Sequence, residues 1–351
     1  MSDSPPVMVQ RQYHDALSEP RRRWWVPASA LLTFGALVVL VSLLLSFAAI
    51  EIDLVLGLTS ASEGMAITPT IFLANNLVLA ALVPISMLVQ WAFFGVRPRW
   101  MLSVTGTWRW HLIGRSALFI VPIFLLYAGG GLVLAAVELI AAPPSATTVA
   151  LLVMIVLTTP LQAAGEEFGF RGFLARTVGA WSARPGVSFA IGTVVSSIAF
   201  ALVHFAADPW LIAYYLVFAV AMSLIVRATG GLEIAVFIHV INNVLLLGPA
   251  IVLGSLDESF DRSEGSAGPF ALVPMTVIAI ITLIVLLHRP LNLRQSSPRE
   301  SVDAIDREAC ADEHENHGAE KDVAHRREGA VETGDVVRIR LESLDDYQKP
   351  E

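Results

Sequence analysis

Six polar side chains that could together carry out hydrolysis lie in an otherwise apolar part of the chain. They are Glu166, Glu167, Arg171, His204, His239 and Asn243. Carboxylates at membrane depth are costly unless they are paired or hydrated, so they indicate function by default. Together the six residues supply a base, imidazoles, a cation and an amide donor in a low-dielectric setting. We therefore interpret them as a hydrolytic centre.

The first group, Glu166, Glu167 and Arg171, contains one pair with helical spacing. Glu167 and Arg171 are four residues apart and would share a helix face, where the guanidinium can hold the carboxylate. Glu166 would point about 100° away and stay free to act as a base. Because Glu166 is only five residues before Arg171, the choice of partner stays open. A solvated charge cluster at a helix end is the structural alternative.

His239 and Asn243 are also four residues apart and would share a face of one helix. Two polar groups on an apolar helix must point toward other helices, because lipid would leave them unsatisfied. An interhelical hydrogen-bonding pair is the alternative to a catalytic role. His204 follows Phe200 by four residues near the end of another apolar segment. Its alternative is a lone structural histidine.

The elements that must position these residues are membrane-spanning helices. Hydrophobic residues make up 55% of the chain and charged residues 15%, against about a quarter charged in soluble domains. Each span needs about 20 apolar residues, so we predict an all-α polytopic transmembrane bundle of about eight spans. The predicted spans cover residues 25–50, 70–94, 115–141, 147–180, 188–207, 209–227, 232–253 and 268–288.

The three groups can meet only if the fourth span continues beyond Arg171 to about residue 180. Glu166 would then lie about 14 residues, and His204 about 17 residues, above the turn between the fourth and fifth spans. His239 and Asn243 would lie about 8 to 12 residues above the start of the seventh span. At ~1.5 Å per residue these heights overlap, so a common site within the membrane is feasible.

Composition divides the chain into a cytoplasmic N-terminal segment at 1–24, a transmembrane domain at 25–288 and a disordered polar cytoplasmic tail at 289–351. Arginines concentrate at the N-terminus, in alternate loops and at the start of the tail. Both termini should therefore be cytoplasmic. The single cysteine, Cys310, provides neither a disulfide framework nor a cysteine zinc site.

Three motifs on successive predicted helices resemble those of the CPBP family of intramembrane proteases. They are Glu-Glu-x-x-x-Arg at 166–171, Phe-x-x-x-His at 200–204 and His-x-x-x-Asn at 239–243. This family includes the type II CAAX prenyl endopeptidases and the bacteriocin-processing or immunity (Abi) proteins. The resemblance covers about residues 70–288 and implies a protease-like core at about 115–255.

The resemblance implies roles for the site residues. Glu166 would activate the attacking water with assistance from His204. His239 and Asn243 would stabilise the oxyanion, for which an imidazole and an amide are suitable donors. A carboxylate in a desolvated site is a good base near neutrality, which agrees with the first of these roles.

The resemblance also implies that Glu167 and Arg171 order the site, and it leaves metal use open. The family is often described as metalloproteases, and Glu166, His204 and His239 could hold a catalytic Zn²⁺ with water as the fourth ligand. A metal-free mechanism driven by the glutamate fits the same residues, and we favour it.

The sequence therefore predicts an intramembrane endopeptidase with many spans in the cell membrane. Its partners would be the lipid bilayer and a membrane-anchored or lipidated substrate, as in CAAX-type processing or bacteriocin maturation and immunity. Binding of nucleic acid is not expected. A non-proteolytic immunity or scaffold protein of the same fold is one alternative. A transporter or proton relay is another, which the lack of a visible internal repeat disfavours.

Overall fold

The computed structural model describes residues 12–18, 23–58 and 67–288. Within these ranges the chain is predominantly helical and contains no named strand. Eight of its helices are long and apolar enough to cross a membrane. The predicted all-α bundle of eight spans is confirmed. The predicted tail at 289–351 lies outside the described residues.

Eleven α-helices and one π-helical turn form the described part of the bundle. The helices are α1 (Trp25–Leu56), α2 (Pro69–Ala80), α3 (Leu82–Phe94), α4 (Trp110–Ala141), α5 (Ala146–Glu167), α6 (Ala175–Gly179), α7 (Pro185–Leu202), α8 (Pro209–Thr229), α9 (Glu233–Val252), α10 (Leu256–Ser259) and α11 (Leu272–Leu287). The π-helical turn, Phe168–Leu174, connects α5 to α6, and the three together form the fourth span. The second span consists of α2 and α3.

Local sequence determines where the helices begin and end, as α8 illustrates. Asp208 accepts hydrogen bonds through Oδ1 from the backbone N–H groups of Trp210 and Leu211, at 2.7 and 3.1 Å. Pro209 occupies the first helical position, where no N–H is needed, so it favours a helix start directly after the capping aspartate. Gly230 ends the helix in the left-handed conformation, with φ at 66°.

The fifth span is shorter than predicted, because α7 ends at Leu202 and not at residue 207. The chain turns sharply after the helix, and Phe205 adopts a positive φ of 50°. Asp208 already caps the next helix, so the few residues between the two helices must form the connection. His204 therefore lies in a turn beyond the helix end and not within the span.

The first span is longer than predicted and runs to Leu56 instead of residue 50. Its additional turns contain Asp53, which is fully buried and accepts a hydrogen bond from the Thr68 hydroxyl. The same hydroxyl oxygen caps α2 by accepting the Ile71 N–H at 3.1 Å. This pairing allows a carboxylate to lie in the last turn of the helix.

The fourth span continues past Arg171 to Gly179, as the meeting of the motifs requires. It does so through the π-helical turn. This geometry is rare in proteins, and where it occurs it is often at a functional site. Ser196 on α7 donates its hydroxyl hydrogen to the Phe170 carbonyl of this turn at 2.9 Å. The hydrogen bond joins the turn to the helix that precedes His204.

Two glycines allow neighbouring helices to approach the fourth span closely. A Cβ at Gly165 would collide with the Leu79 carbonyl oxygen of α2. A Cβ at Gly192 of α7 would collide with the Ala175 carbonyl oxygen of α6. Small residues permit such contacts between membrane helices. Because Gly165 directly precedes Glu166, the contact between α2 and α5 helps to set the position of that carboxylate.

A buried ion pair holds the start of α9. Arg109 donates through Nε and Nη2 to the two carboxylate oxygens of Glu233, at 2.7 and 2.8 Å, and both side chains are buried. Two backbone hydrogen bonds also join residues 102–104 to residues 230–232. Because α9 carries the His-x-x-x-Asn motif, these contacts hold that motif relative to the rest of the bundle.

Residues 12–18 pack against the part of the bundle where α6 ends and α7 begins. The buried Tyr13 ring lies 4.7 Å from the Arg176 guanidinium carbon. His14 Nε2 donates to the Pro185 carbonyl at 3.1 Å. Burial lowers the pKa of His14 to about 4, and a nearby arginine charge adds to the effect, so the ring is neutral at pH 7. This segment covers one end of the fourth span.

We expect Gly165→Ala to destabilise the protein, because the added methyl group meets backbone atoms of α2 and the helices must separate. The expected loss is about 1–3 kcal/mol or more, measured by thermal unfolding of the detergent-solubilised protein. Gly35→Ala in α1 is the matched control, since a Cβ there meets nothing within 4 Å. Equal unfolding temperatures for the two variants would contradict the close contact.

Candidate active site

Glu166 and Glu167 end α5 as adjacent carboxylates with different surroundings. Glu166 is 6% exposed and Glu167 is fully buried. The Oε2 atom of each has no hydrogen-bond partner among the described residues. The two groups therefore differ in what holds their Oε1 atoms.

The Glu167 carboxylate is held by a cation and an imidazole. Its Oε1 accepts hydrogen bonds from Arg171 Nη1 at 3.1 Å and from His239 Nδ1 at 2.8 Å. The sequence left the partner of Arg171 open between the two glutamates, and the pair with four-residue spacing is the one that forms. Because its charge is compensated in this way, Glu167 is suited to order its neighbours.

The Arg171 guanidinium is buried between Glu167 and an aromatic ring. Its Cζ lies 4.5 Å from the centroid of Phe200, which is a cation–π distance. The Phe200 ring also stacks on Phe218 with 5.9 Å between centroids, and it meets His239 edge to face at 6.2 Å. Phe200, the first residue of the Phe-x-x-x-His motif, therefore forms an apolar wall of the site.

The Glu166 carboxylate has a neutral donor on one oxygen and no hydrogen-bond partner on the other among the described residues. Its Oε1 accepts a hydrogen bond from Gln162 Nε2. Its Oε2 lies 3.7 Å from His239 Nε2. Since no arginine is bonded to Glu166 among the described residues and its Oε2 has no hydrogen-bond partner there, this carboxylate is better suited than Glu167 to accept a proton.

The His239 ring bridges the two carboxylates from α9. A carboxylate only accepts hydrogen bonds, so Nδ1 donates its hydrogen to Glu167 and Nε2 faces Glu166. In the neutral ring Nε2 carries a lone pair, whereas in the imidazolium it carries a hydrogen. The imidazolium form would also balance the two carboxylate charges together with Arg171. His239 can therefore act as a donor through Nε2 in its charged form.

Asn243 joins the network through its amide. Its Nδ2 donates to Gln162 Oε1 at 3.1 Å, and its Oδ1 accepts from Asn242 Nδ2 at 3.1 Å. An amide nitrogen has two hydrogens, so one remains after the bond to Gln162. That hydrogen is available to a negative charge that develops on a substrate.

His204 lies beside this network and not in it. Its Nδ1 donates to the Phe200 carbonyl at 2.6 Å, and its ring stacks on Tyr215 with 3.8 Å between centroids. Burial lowers the pKa of His204, and the charge of Glu166 opposes that shift. The ring is therefore neutral at pH 7, with a lone pair on Nε2. Among the described residues, its hydrogen bond is to backbone and not to the five other site residues.

Three residues that shape the site were not predicted from the sequence. Gln162 contacts both Glu166 and Asn243, and its position four residues before Glu166 was the available signal. Asn242 donates a hydrogen bond to Asn243, but its spacing from the other site residues did not indicate a role. Glu233 pairs with an arginine 124 positions away, which no local pattern reveals.

The arrangement does not form a ligand set for the Zn²⁺ considered from the sequence. Within residues 12–18, 23–58 and 67–288, no group of three or more His, Cys, Asp or Glu side chains could hold a metal ion. The Nδ1 atoms of His204 and His239 are bonded to a backbone carbonyl and to a carboxylate, which leaves both Nε2 atoms without a hydrogen bond among the described residues, as in histidines that bind a metal. Zinc needs three protein ligands that converge on one point. The metal-free mechanism favoured from the sequence stays a prediction.

Comparison with known proteins gives the class of the central segment. Residues 148–245 match the family described as Type II CAAX prenyl endopeptidase Rce1-like. The matched segment contains all three motifs, so the family resemblance predicted from them is confirmed. A match to this family supports a membrane protease. No match was found among curated proteins or among solved structures.

We expect the purified protein to contain no stoichiometric zinc, because the donors do not converge on one point. Elemental analysis of the protein and of His239→Ala should give the same low zinc content. His111→Ala is the control for adventitious binding, since His111 is exposed at the start of α4. One zinc per chain that disappears only in His239→Ala would contradict the metal-free arrangement.

Proposed function

We propose that this Rce1-like chain is an intramembrane endopeptidase that hydrolyses a peptide bond in a membrane-anchored or lipidated substrate. The observation that carries the proposal is Oε2 of Glu166, which is buried, has no hydrogen-bond partner among the described residues and lies 3.7 Å from His239 Nε2. Hydrolysis at neutral pH needs a base with an oxygen that is not already hydrogen-bonded, beside a group that can hold or donate a proton. Both are present on membrane-spanning helices.

In the first step, Glu166 takes a proton from a water as the water oxygen attacks the scissile carbonyl carbon. A C–O bond forms, and the carbonyl oxygen becomes an oxyanion. His204 can accept a second hydrogen bond from the same water through its Nε2 lone pair, since its Nδ1 hydrogen is bonded to backbone. This supports an assisting role in orienting the water.

Asn243 and His239 then donate hydrogen bonds to the oxyanion. Asn243 uses the amide hydrogen that is not bonded to Gln162, and His239 uses Nε2–H of the imidazolium. Such fixed donors are most effective where water is excluded. Glu167 holds the His239 ring in this orientation through Nδ1, so its contribution is to position the donor.

In the second step the oxyanion collapses and the C–N bond breaks. The protonated Glu166 returns its proton to the leaving amine nitrogen, which restores the carboxylate. One water is consumed, and no charge accumulates in the buried site. The Glu167–Arg171 pair takes no part in this proton transfer.

The location of the site supports a substrate that is itself held in the bilayer. The catalytic groups lie on or beside helices that are apolar over at least 18 residues, so a soluble peptide would have to leave water to reach them. A lipid or helical anchor removes much of that cost. Arginines near the ends of α6 and α8 and the start of α7 support cytoplasmic termini.

Glu166→Gln should abolish cleavage while the protein stays folded, because the amide keeps the shape of the side chain but cannot take a proton. We expect a loss of about 10²–10⁴-fold in turnover, measured as peptide release from a lipidated peptide in proteoliposomes. Glu258→Gln, in an exposed part of α10, is the matched control. Normal turnover by the Glu166→Gln protein would end the assignment of the base.

Asn243→Ala should lower kcat by about 10²–10³-fold with little change in KM, because an oxyanion donor acts mainly in the transition state. Initial rates over a range of substrate concentrations separate the two constants. The control is Asn75→Ala, which removes an exposed amide from α2. An unchanged kcat would refute the oxyanion role.

A further inference from the structure

We infer that Gln162 is a positioning residue that holds Asn243 and Glu166 in their reactive orientations, an inference that rests on the proposed function. Gln162 lies on α5 and is 7% exposed. Its Nε2 donates to Glu166 Oε1, and its Oε1 accepts from Asn243 Nδ2 at 3.1 Å. Among the described residues it is the one side chain that is hydrogen-bonded to both.

Chemistry alone determines which way the Gln162 amide faces. An ionised carboxylate has no hydrogen to give, so the Gln162 group that faces Glu166 must be the NH₂ group. The Gln162 oxygen must then face Asn243, and Asn243 must present its own NH₂ group to it. Amide orientation is normally assigned from such networks. Here the assignment begins from the Glu166 carboxylate, which can only accept hydrogen bonds.

Hydrogen bonds with the same donor-to-acceptor direction continue to residues on α9 and α8. Asn242 Nδ2 on α9 donates to Asn243 Oδ1 at 3.1 Å, and the Tyr214 hydroxyl on α8 donates to Asn242 Oδ1 at 3.2 Å. Every donor in this series points toward Glu166. Hydrogen bonds aligned in one direction strengthen each other. We call the series the amide relay: Tyr214, Asn242, Asn243 and Gln162, which ends on Glu166.

The amide relay has two consequences for the reaction. First, Asn243 cannot turn its oxygen toward the substrate without placing that oxygen against Gln162 Oε1. A turned amide would repel the oxyanion that it should stabilise. Second, Glu166 has one oxygen occupied by Gln162, so the other oxygen is the one left to meet the water. Gln162 touches neither water nor substrate in this scheme, and it acts through its two neighbours.

A pH profile can separate positioning from simple packing. A hydrogen bond to the ionised carboxylate favours that form, so its loss should move the acidic limb of the kcat profile to higher pH. The charged or titratable groups around Glu166 are Glu167, Arg171, His204, Tyr215 and His239. All five remain in a Gln162 variant. A shift of the limb would therefore report the lost amide contact.

The test compares wild type with Gln162→Met in proteoliposomes that contain a lipidated peptide. Methionine has a similar shape and lacks both hydrogen bonds. We expect kcat to fall about 10-fold to 100-fold, KM to change less than about twofold and the acidic limb to move to higher pH. Wild-type kcat with an unmoved limb would overturn the positioning role.

Asn76→Leu is the matched control for the loss of a buried amide that contacts the same helix. Asn76 on α2 is 3% exposed and donates to the Thr158 and Thr159 hydroxyls of α5, at 2.8 and 3.3 Å. It lies outside the amide relay. Thermal stability should fall in this variant without any movement of the acidic limb. If its limb moves as far as that of Gln162→Met, packing explains the effect and the inference is wrong.

Gln162→Glu keeps the inference testable if Gln162→Met fails to fold. In its protonated form the introduced carboxyl group can donate to Glu166 and accept from Asn243, as glutamine does, whereas its ionised form repels Glu166. We expect activity at acidic pH that is lost as the pH rises, in contrast to wild type. A profile identical to wild type overturns the positioning role. Folded wild-type protein without any turnover overturns the proposed function and this inference together.

Discussion

The burial of two adjacent carboxylates inside a membrane-spanning bundle is the constraint on which the rest of the structure depends. An ion taken out of water loses hydration that only close partners can replace. Glu167 obtains a guanidinium and an imidazole, whereas Glu166 obtains a neutral amide and an imidazole nitrogen at 3.7 Å. The charge of Glu167 is therefore better compensated than that of Glu166. Glu167 is suited to hold the site together, and Glu166 is suited to react.

The partners of these carboxylates come from other helices, so helix packing and electrostatics cannot be separated. His239 and Asn243 lie on α9, and the buried Arg109–Glu233 pair holds the start of this helix. Gly165 brings α2 against α5 directly before the carboxylates. Each contact joins residues that are far apart along the chain. Together they bring donor and acceptor within hydrogen-bonding distance.

Features with a local period could be predicted from the sequence, and features that depend on distant partners could not. The eight spans follow from apolar run length, and four-residue spacing made Glu167 one of two candidate partners for Arg171. The end of the fifth span was predicted too late, because the apolar run continues past Leu202, where the chain must already turn to reach the helix start at Asp208. Glu233 was missed, since its partner is distant in sequence. The chemical roles of the six predicted residues remain proposals that mutation can test.

The π-helical turn at Phe168–Leu174 determines where the fourth span can tolerate a change of length. Such a turn accommodates one more residue than a regular turn of the same helix, and each residue advances a helix by about 100°. Excision of a single amino acid here would restore regular winding and leave α6, with Arg176, at nearly the same angle relative to Glu166, whereas excision elsewhere in the fourth span would swing α6 by about 100°. Relatives that align across this segment without gaps are therefore expected to share the same angular offset between their carboxylates and their buried arginines.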